Sequence, residues 1–479
     1  MKKITDFFLQ NHLWRNLIAI FLLFIILKGT IWIFTVSIFT PSDETTHFFY
    51  THYSVTEKMI PRFDSNVVEK IAKNSYDIKK VHSYLEIENT ALSISHLNFN
   101  RSITEKSQIL SDEKFINNLV IHPTWSFNYP PFYYLIESIP YAAGKIIHLD
   151  IVSIVYLMRI FSFLFFLVTV IFSYRIALLI DGDKKFAFVV AAIIALMPSV
   201  SMNFSSINND AAIIAFGHIA FYYLLKIIYS ARVSFADATK GILAIAAALL
   251  AKPQSIILIP LLLGVYFFSI QKDKKAFKRN IGILCGGLLF AGIFIYFFTF
   301  SVIASYFNSI IKTIPQISFA DFKIAFTYDV LRRIILSFDF WLKVHTFSNF
   351  FPHFISILLG IFNALAIFGI ILHFYIQMKK KNYHKGLIFC LASLASLDIL
   401  YTLIQYYESI AHKMHDSLSF GRYYFLLLCP IIILFVWGIR HITTFFKIPN
   451  KVIYIGLLLF FSFLSSYSLL NIAIQYTYL

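Results

Sequence analysis
The stretch PSDETTH, residues 41–47, sets two adjacent acids, Asp43 and Glu44, and a histidine, His47, directly after a long apolar run. A carboxylate placed there can act as general base on an acceptor hydroxyl, an effect typically worth ~10²- to 10⁴-fold in rate. A second acid beside it would raise its pKa or help to hold a divalent cation. Four other polar strings carry groups that complement an acid. NYPPFYY supplies Tyr129, Pro131, Tyr133 and Tyr134; SINNDAA supplies Asn209 and Asp210; AKPQ supplies Lys252; SFGRYYF supplies Arg422, Tyr423 and Tyr424. Lysine and arginine at headgroup depth suit a lipid phosphate, and tyrosines can stack on sugar faces or on an isoprenoid chain. Acid, cation and aromatic together describe the transfer of a sugar from a lipid carrier to an acceptor.

Taken singly, each residue has a plainer explanation. Acids just past a helix end are commonly solvated, interfacial Lys and Arg snorkel, and interfacial Tyr residues form an aromatic belt. His47 alone is most simply structural, and Pro130 and Pro131 can do no more than set a helix entry angle. Lys28, Arg159 and Asp398 lie inside apolar runs, where snorkelling or pairing within a bundle accounts for them. What favours chemistry is whether the elements bring the five strings to one place.

Those elements are membrane helices. Of the 479 residues, 58% are hydrophobic, 18% aromatic and 14% charged, and mean hydropathy is +0.72. Continuous apolar stretches of ~20 residues recur, each long enough to cross a hydrocarbon core of ~30 Å as a helix, whereas a barrel would need alternation. The expectation is an all-α polytopic membrane protein with about eleven spans. They fall near 17–39, 151–174, 186–203, 211–229, 239–251, 254–270, 281–300, 353–377, 386–405, 422–440 and 451–472. Residues 131–149 are apolar too, but they contain Pro140 and are amphipathic, so they read as a helix lying on the membrane surface. The first run is retained as a span, because no small-residue cleavage site precedes PSDE. The three cysteines, Cys285, Cys390 and Cys429, lie in apolar runs and read as small core residues.

The chain thus divides into a cytoplasmic segment and first span (1–40), an outer loop with its surface helix (41–150), six further spans (151–300), a second outer loop (301–352) and four last spans (353–479). About half of the 41 Lys and Arg sit in short loops between spans, which makes those loops cytoplasmic. The formal charge of +16 therefore reports topology, and it gives no reason to invoke nucleic acid. With the N-terminus inside, all five polar strings land on the outer face of the plasma membrane.

In order between Pro41 and Tyr424, the strings PSDETTH, PPFYY, NNDA, AKP and GRYY resemble motifs of the C-type (GT-C) superfamily of integral membrane glycosyltransferases. The likeness is narrower to a bacterial multispanning family related to the protein mannosyltransferases and aminoarabinose transferases. There the first outer loop opens with Pro-x-Asp-Glu-x-x-His. The resemblance implies a GT-C-like fold, a polyprenyl-phosphate-linked sugar donor, a cell-envelope polysaccharide or teichoic acid acceptor, and inverting transfer on the outer face. It implies Asp43 as the catalytic carboxylate, supported by Glu44 and His47. In relatives that use a divalent metal such as Mg²⁺ or Mn²⁺, the same three residues would ligate it. Asn209 and Asp210 would line the pocket with Tyr129, Pro131, Tyr133 and Tyr423, while Lys252 and Arg422 would face the phosphate. Ser42 departs from the proline or small residue that relatives often carry there. The large loops match nothing in the family, so the acceptor does not carry over. The rival expectation is a transporter or flippase of a lipid-linked glycan, which calls for paired charges near the bilayer midplane and pseudo-symmetric halves. A third is a non-catalytic assembly partner, in which Asp43 would be dispensable.

Overall fold
The computed structural model describes residues 2–36, 43–56, 58, 60, 129–230, 234–270, 340–342, 351–380, 383–411 and 421–478. Among them all regular structure is helical, as continuous apolar runs require in a setting where the backbone must satisfy itself. The expected span at 281–300, nearly all of the second outer loop, most of the first one and Pro41 with Ser42 lie outside the described residues.

Helix α1 is Lys2–Thr35, and α2 is the short Glu44–Thr56. Helix α3, Phe132–Ile146, precedes α4, Ile151–Asp181. Then come α5, Lys184–Leu196, α6, Pro198–Phe204, α7, Asn209–Tyr229, and α8, Phe235–Ala251. A 3₁₀ turn, Pro253–Ile257, leads into α9, Leu258–Ile270. Helices α10, His353–Lys380, and α11, Lys385–Ala411, are followed by a second 3₁₀ segment, Gly421–Leu427. The last two helices are α12, Leu428–Phe445, and α13, Asn450–Tyr478. Among the described residues, seven helices are long and apolar enough to cross a membrane, or eight if the bent pair α5 and α6 counts as one.

Local sequence sets the ends. Asp150 caps α4 by accepting from the Val152 and Ser153 amides at 3.0 Å each, and Gly182 closes it at φ 79, a left-handed turn that glycine adopts without penalty. Asn208 caps α7 through the Asp210 amide at 2.9 Å. The expected straight span at 186–203 is instead broken, with α5 and α6 meeting at 65°. Pro198 has no amide to donate and its ring crowds the preceding turn, so Met197 turns extended at ψ 126. Lys28 of α1 fills the break, donating to the Ala195 carbonyl at 2.7 Å and to the Ser201 hydroxyl. A cation at the carboxyl end of α5 also meets the negative end of that helix's dipole. The expected span at 239–251 becomes the longer helix α8, which ends at Ala251 just before Lys252 and Pro253.

Helix α12 lies at the centre, and α1, α10 and α13 form the rim, with rows of exposed leucine, isoleucine and phenylalanine suited to lipid. Helices α10 and α12 cross on glycine: a Cβ on Gly369 would sit 2.0 Å from the Gly438 carbonyl oxygen, and one on Gly438 would sit 2.0 Å from the Ala366 oxygen. Since backbone cannot yield as a flexible side chain can, Gly438→Leu is expected to force the helices apart at a cost of roughly 1–3 kcal/mol or more. Thermal unfolding in detergent should show a clear drop, and an unchanged transition would contradict this packing.

Helix α3 covers most of the stretch 131–149 that the sequence marks as an amphipathic helix. At ~1.5 Å per residue its 15 residues reach only about 22 Å, short of a bilayer core. Tyr133, Tyr134, Glu137, Tyr141 and Gly144 are buried against α2 and α4, while Leu135, Ile139 and Ile146 are exposed. An aromatic plate joins α2 to α3, with Tyr50 and Tyr134 stacked at 3.6 Å between centroids.

Candidate functional site
Four ionic side chains and three aromatic rings meet at one end of the bundle. Asp43 stands just before α2, Asp210 in the first turn of α7, Lys252 at the end of α8, and Arg422 at the start of the second 3₁₀ segment. Arg422 donates from Nη2 to Asp43 Oδ2 at 2.5 Å, and its Nε lies 3.8 Å from Asp210 Oδ2. Lys252 donates to Asp210 Oδ1 at 2.5 Å. Chain segments nearly 400 residues apart thus close one chain of acid and base: Asp43, Arg422, Asp210, Lys252.

The two pairs differ in depth. Side-chain exposure is 47% for Asp43 and 17% for Arg422, but 6% for Asp210 and 4% for Lys252. A pair at the rim is worth only about 0–1 kcal/mol and can exchange partners, whereas breaking a buried pair costs about 3–5 kcal/mol because it strands a charge. Lys252 is further held between two rings, with its ammonium 5.4 Å from the Tyr129 centroid and 5.8 Å from that of Tyr423. It neither snorkels nor lies open at the headgroup boundary. The ring of Tyr423 also lies 5.8 Å from the Arg422 guanidinium, and its carbonyl accepts from the Tyr401 hydroxyl at 2.7 Å.

Asp43 has φ 67, a left-handed conformation that Asp tolerates better than most residues. Its carbonyl accepts from the His47 amide at 3.0 Å and the Thr46 hydroxyl at 2.7 Å, which starts α2 and leaves the carboxylate pointing at Arg422. Burial of the surroundings pushes this carboxyl up. The Arg422 guanidinium outweighs it and holds Asp43 well below the usual carboxylate range. His47 is 2% exposed, and its Nδ1 shares a hydrogen bond of 2.8 Å with the Tyr134 hydroxyl. Burial lowers its pKa to about 4, so the imidazole is neutral near pH 7. Tyr129, beside it, is pushed up by burial and by the charge of Asp43.

Several sequence expectations change here. Glu44 is fully buried and turned away from Asp43: Oε1 accepts from Arg159 Nε at 2.7 Å and from the Ile207 amide at 2.9 Å, and Oε2 accepts from Arg159 Nη2 at 2.6 Å. With both oxygens engaged, it ties α2 to α4 and to the Ile207 amide and does not face Asp43. Asp43, Glu44 and His47 accordingly do not fit a metal, because Glu44 is held by a guanidinium and Asp43 by another. Among the described residues no three His, Cys, Asp or Glu side chains converge on a metal-sized site. Tyr133 is also fully buried, with its hydroxyl 3.0 Å from that of Ser162, so it cannot stack on a sugar. Pro131 has a backbone task as the buried N-cap of α3, accepting from the Leu135 amide at 2.8 Å. Asn209 is buried too, and its Nδ2 reaches the Ala251 carbonyl at 3.5 Å, tying α7 to the end of α8.

Residues that the sequence left aside turn out to hold the site. Arg159 of α4 is fully buried and also donates to the Ile33 and Val36 carbonyls at 3.0 and 2.6 Å, joining the end of α1 to Glu44. Tyr133 of α3 is tied to the same helix α4 through the Ser162 hydroxyl. The Ile207 amide is therefore held by Glu44, three residues before Asp210, which pairs with Lys252. The signals were present, as a lone arginine in a span and two tyrosines after a proline pair, but their partners lie in distant segments.

Glu137 completes this support. It is fully buried, Oε1 accepts from the Ser162 hydroxyl at 2.8 Å, and Oε2 has no hydrogen-bond partner. Burial raises its pKa from 4.5 to about 8, so the folded chain favours the protonated acid. Its stabilising effect is therefore complete below the unfolded value of 4.5 and is lost as pH rises through about 8. Across that window heat stability in detergent should fall in the wild type relative to Glu137→Gln, by on the order of 5 kcal/mol. Parallel profiles for the two proteins would contradict the buried, protonated state.

No curated protein and no solved structure matches the chain significantly. The model of one family, described as "Predicted membrane protein (DUF2142)", matches residues 24–435, a stretch that contains every residue of the charged quartet. The chain belongs to that family and is a multi-pass membrane protein.

Proposed function
We propose that this protein is a C-type membrane glycosyltransferase that moves a sugar from a polyprenyl-phosphate-linked donor to a cell-envelope glycan, with inversion, on the outer face of the plasma membrane. The observation that carries the reading is the half-exposed carboxylate of Asp43, just past the first span and beside an arginine able to take a phosphate. Charge supports the outward-facing site: the opposite end of the bundle carries Lys184, Lys185, Lys226, Lys379, Lys380 and Lys385, and basic residues favour the cytoplasmic side.

In the proposed step, the acceptor hydroxyl gives its proton to Asp43 and its oxygen forms the bond to the anomeric carbon. The bond from that carbon to the phosphate oxygen breaks on the opposite side, and its electron pair leaves with the polyprenyl phosphate. Arg422 meets the developing phosphate charge, while Tyr129 and Tyr423 offer ring faces to the donor. No divalent metal is needed for this balance. A transporter would require exchangeable charges near mid-bilayer. Lys28 and Arg159, the buried cations nearest that description, are engaged by carbonyls, a hydroxyl and a carboxylate.

The test is to compare envelope polymers and lipid-linked sugars of a deletion strain and its parent. The reading predicts that one sugar disappears from a surface polymer and that its polyprenyl-phosphate form accumulates on the outer leaflet. Accumulation on the inner leaflet would favour the flippase instead, and unchanged pools of both would remove the transferase.

A further inference from the structure
We infer that Arg422 is a latch shared between Asp43 and the anionic group of the ligand: in the free protein it masks the carboxylate, and a lipid-linked phosphate group that takes the guanidinium sets the base free. The inference rests on the function proposed above and adds how the site is held idle between turnovers.

The two cations of the site are not equivalent, and their depth decides which can move. Lys252 is sealed between Asp210 and the rings of Tyr129 and Tyr423, so an incoming anion would have to strand the buried Asp210 to claim it. Arg422 is bound at the rim, to a half-exposed acid, by a contact that water already screens. A phosphodiester presents the fork of a guanidinium with two oxygens, as a carboxylate does, and so can replace Asp43 on it. Arg422 also keeps Asp210 within 3.8 Å of Nε, which would anchor one edge of the fork while the other changes partner. The charges facing Asp43 are Arg422 from the 3₁₀ segment and Lys252 from the end of α8. His47 on α2, Tyr129 ahead of α3, Tyr134 on α3 and Asp210 on α7 are its other ionisable neighbours. Of these Arg422 touches the carboxylate, so its departure is the change that Asp43 would feel most.

The latch also explains a conflict within the proposed chemistry. A general base needs affinity for a proton, yet Arg422 keeps Asp43 below the ordinary carboxylate range. If the arginine stayed in place through the reaction, the carboxylate would be a poor acceptor. If it leaves only when a phosphate arrives, the base is strong when the donor is present and weak otherwise, so an acceptor alone is not activated.

The experiment uses the full-length wild-type protein in detergent micelles, labelled with a hydrophobic carbodiimide, which reacts with protonated carboxyls. Labelling of Asp43 is quantified by peptide mass spectrometry with no addition, with farnesyl monophosphate, with farnesol and with inorganic phosphate; binding of farnesyl monophosphate is measured separately by equilibrium dialysis. The latch predicts that bound farnesyl monophosphate raises labelling of Asp43 about tenfold or more, since each unit of pKa rise is tenfold in the protonated fraction while that fraction is small. Farnesol should leave it unchanged, and Asp210 should not respond. An equal rise with inorganic phosphate would keep the latch and assign the recognition to phosphate alone. Binding without a rise at Asp43 would overturn the latch and leave the transferase reading standing. Failure of farnesyl monophosphate to bind would remove the lipid-phosphate site itself, and the latch with it.

Discussion
Asp43→Asn is expected to abolish the proposed sugar transfer, lowering turnover by at least ~10²- to 10⁴-fold while extraction and heat stability stay close to those of the wild type. Asparagine matches aspartate in size and still offers Arg422 an oxygen, but it cannot accept a proton. The ion pair that is lost lies at the rim, with Asp43 47% exposed, so its contribution to stability is at most about 1 kcal/mol. Short polar side chains also tolerate the left-handed backbone that residue 43 adopts. Activity would be read from the surface polymer of a complemented deletion strain and stability from thermal unfolding of the purified protein. Retained transfer would take the role of base away from Asp43; loss of folded protein would mean that its charge is structural.

The largest effect on stability is expected at the other member of the acidic pair. Glu44→Gln leaves the Arg159 guanidinium buried opposite a neutral amide, and Arg159→Met leaves the Glu44 carboxylate without its counterion. Each should cost about 3–5 kcal/mol, because both side chains are fully buried. The double variant Glu44→Gln, Arg159→Met removes both charges and should recover part of that loss. It also separates two roles for Glu44. If the residue serves the scaffold, transfer should return along with stability in the double variant. If Glu44 takes part in the reaction, stability would return without transfer. Solubilised yield, thermal unfolding and polymer composition of the three variants decide between them.

The contrast between these neighbours shows where reading a sequence stops. Asp43 and Glu44 are alike in type and adjacent, and nothing in PSDETTH says which one faces the site. Successive helical positions differ by about 100° in direction, and the left-handed turn at Asp43 separates the two further. Glu44 is claimed by an arginine 115 positions away, a pairing that hydropathy treats as a cost and not as a contact. Lys252 and Arg422 were visible because cations stand out in an apolar chain, but whether each was locked or free depended on Asp210 and two tyrosine rings arriving from other segments. Helix α3 was legible because proline punctuation and an amphipathic face are local properties. The break at Pro198 was less so: proline inside a membrane helix is often tolerated, and what fixes this bend is Lys28, supplied by another helix.

That lysine has a consequence for how the chain is made. Its partners, Ala195 and Ser201, follow it by 167 and 173 positions. At ~5–20 residues per second they leave the ribosome roughly ten to thirty seconds after the first helix does. Throughout that interval α1 carries an unmatched ammonium, against which a membrane-insertion scale sets about 2.5–3.5 kcal/mol at a helix centre. Its leucines, isoleucines and phenylalanines outweigh that charge until α5 arrives, and the lysine gains its hydrogen-bond partners only when that later, broken helix is in place.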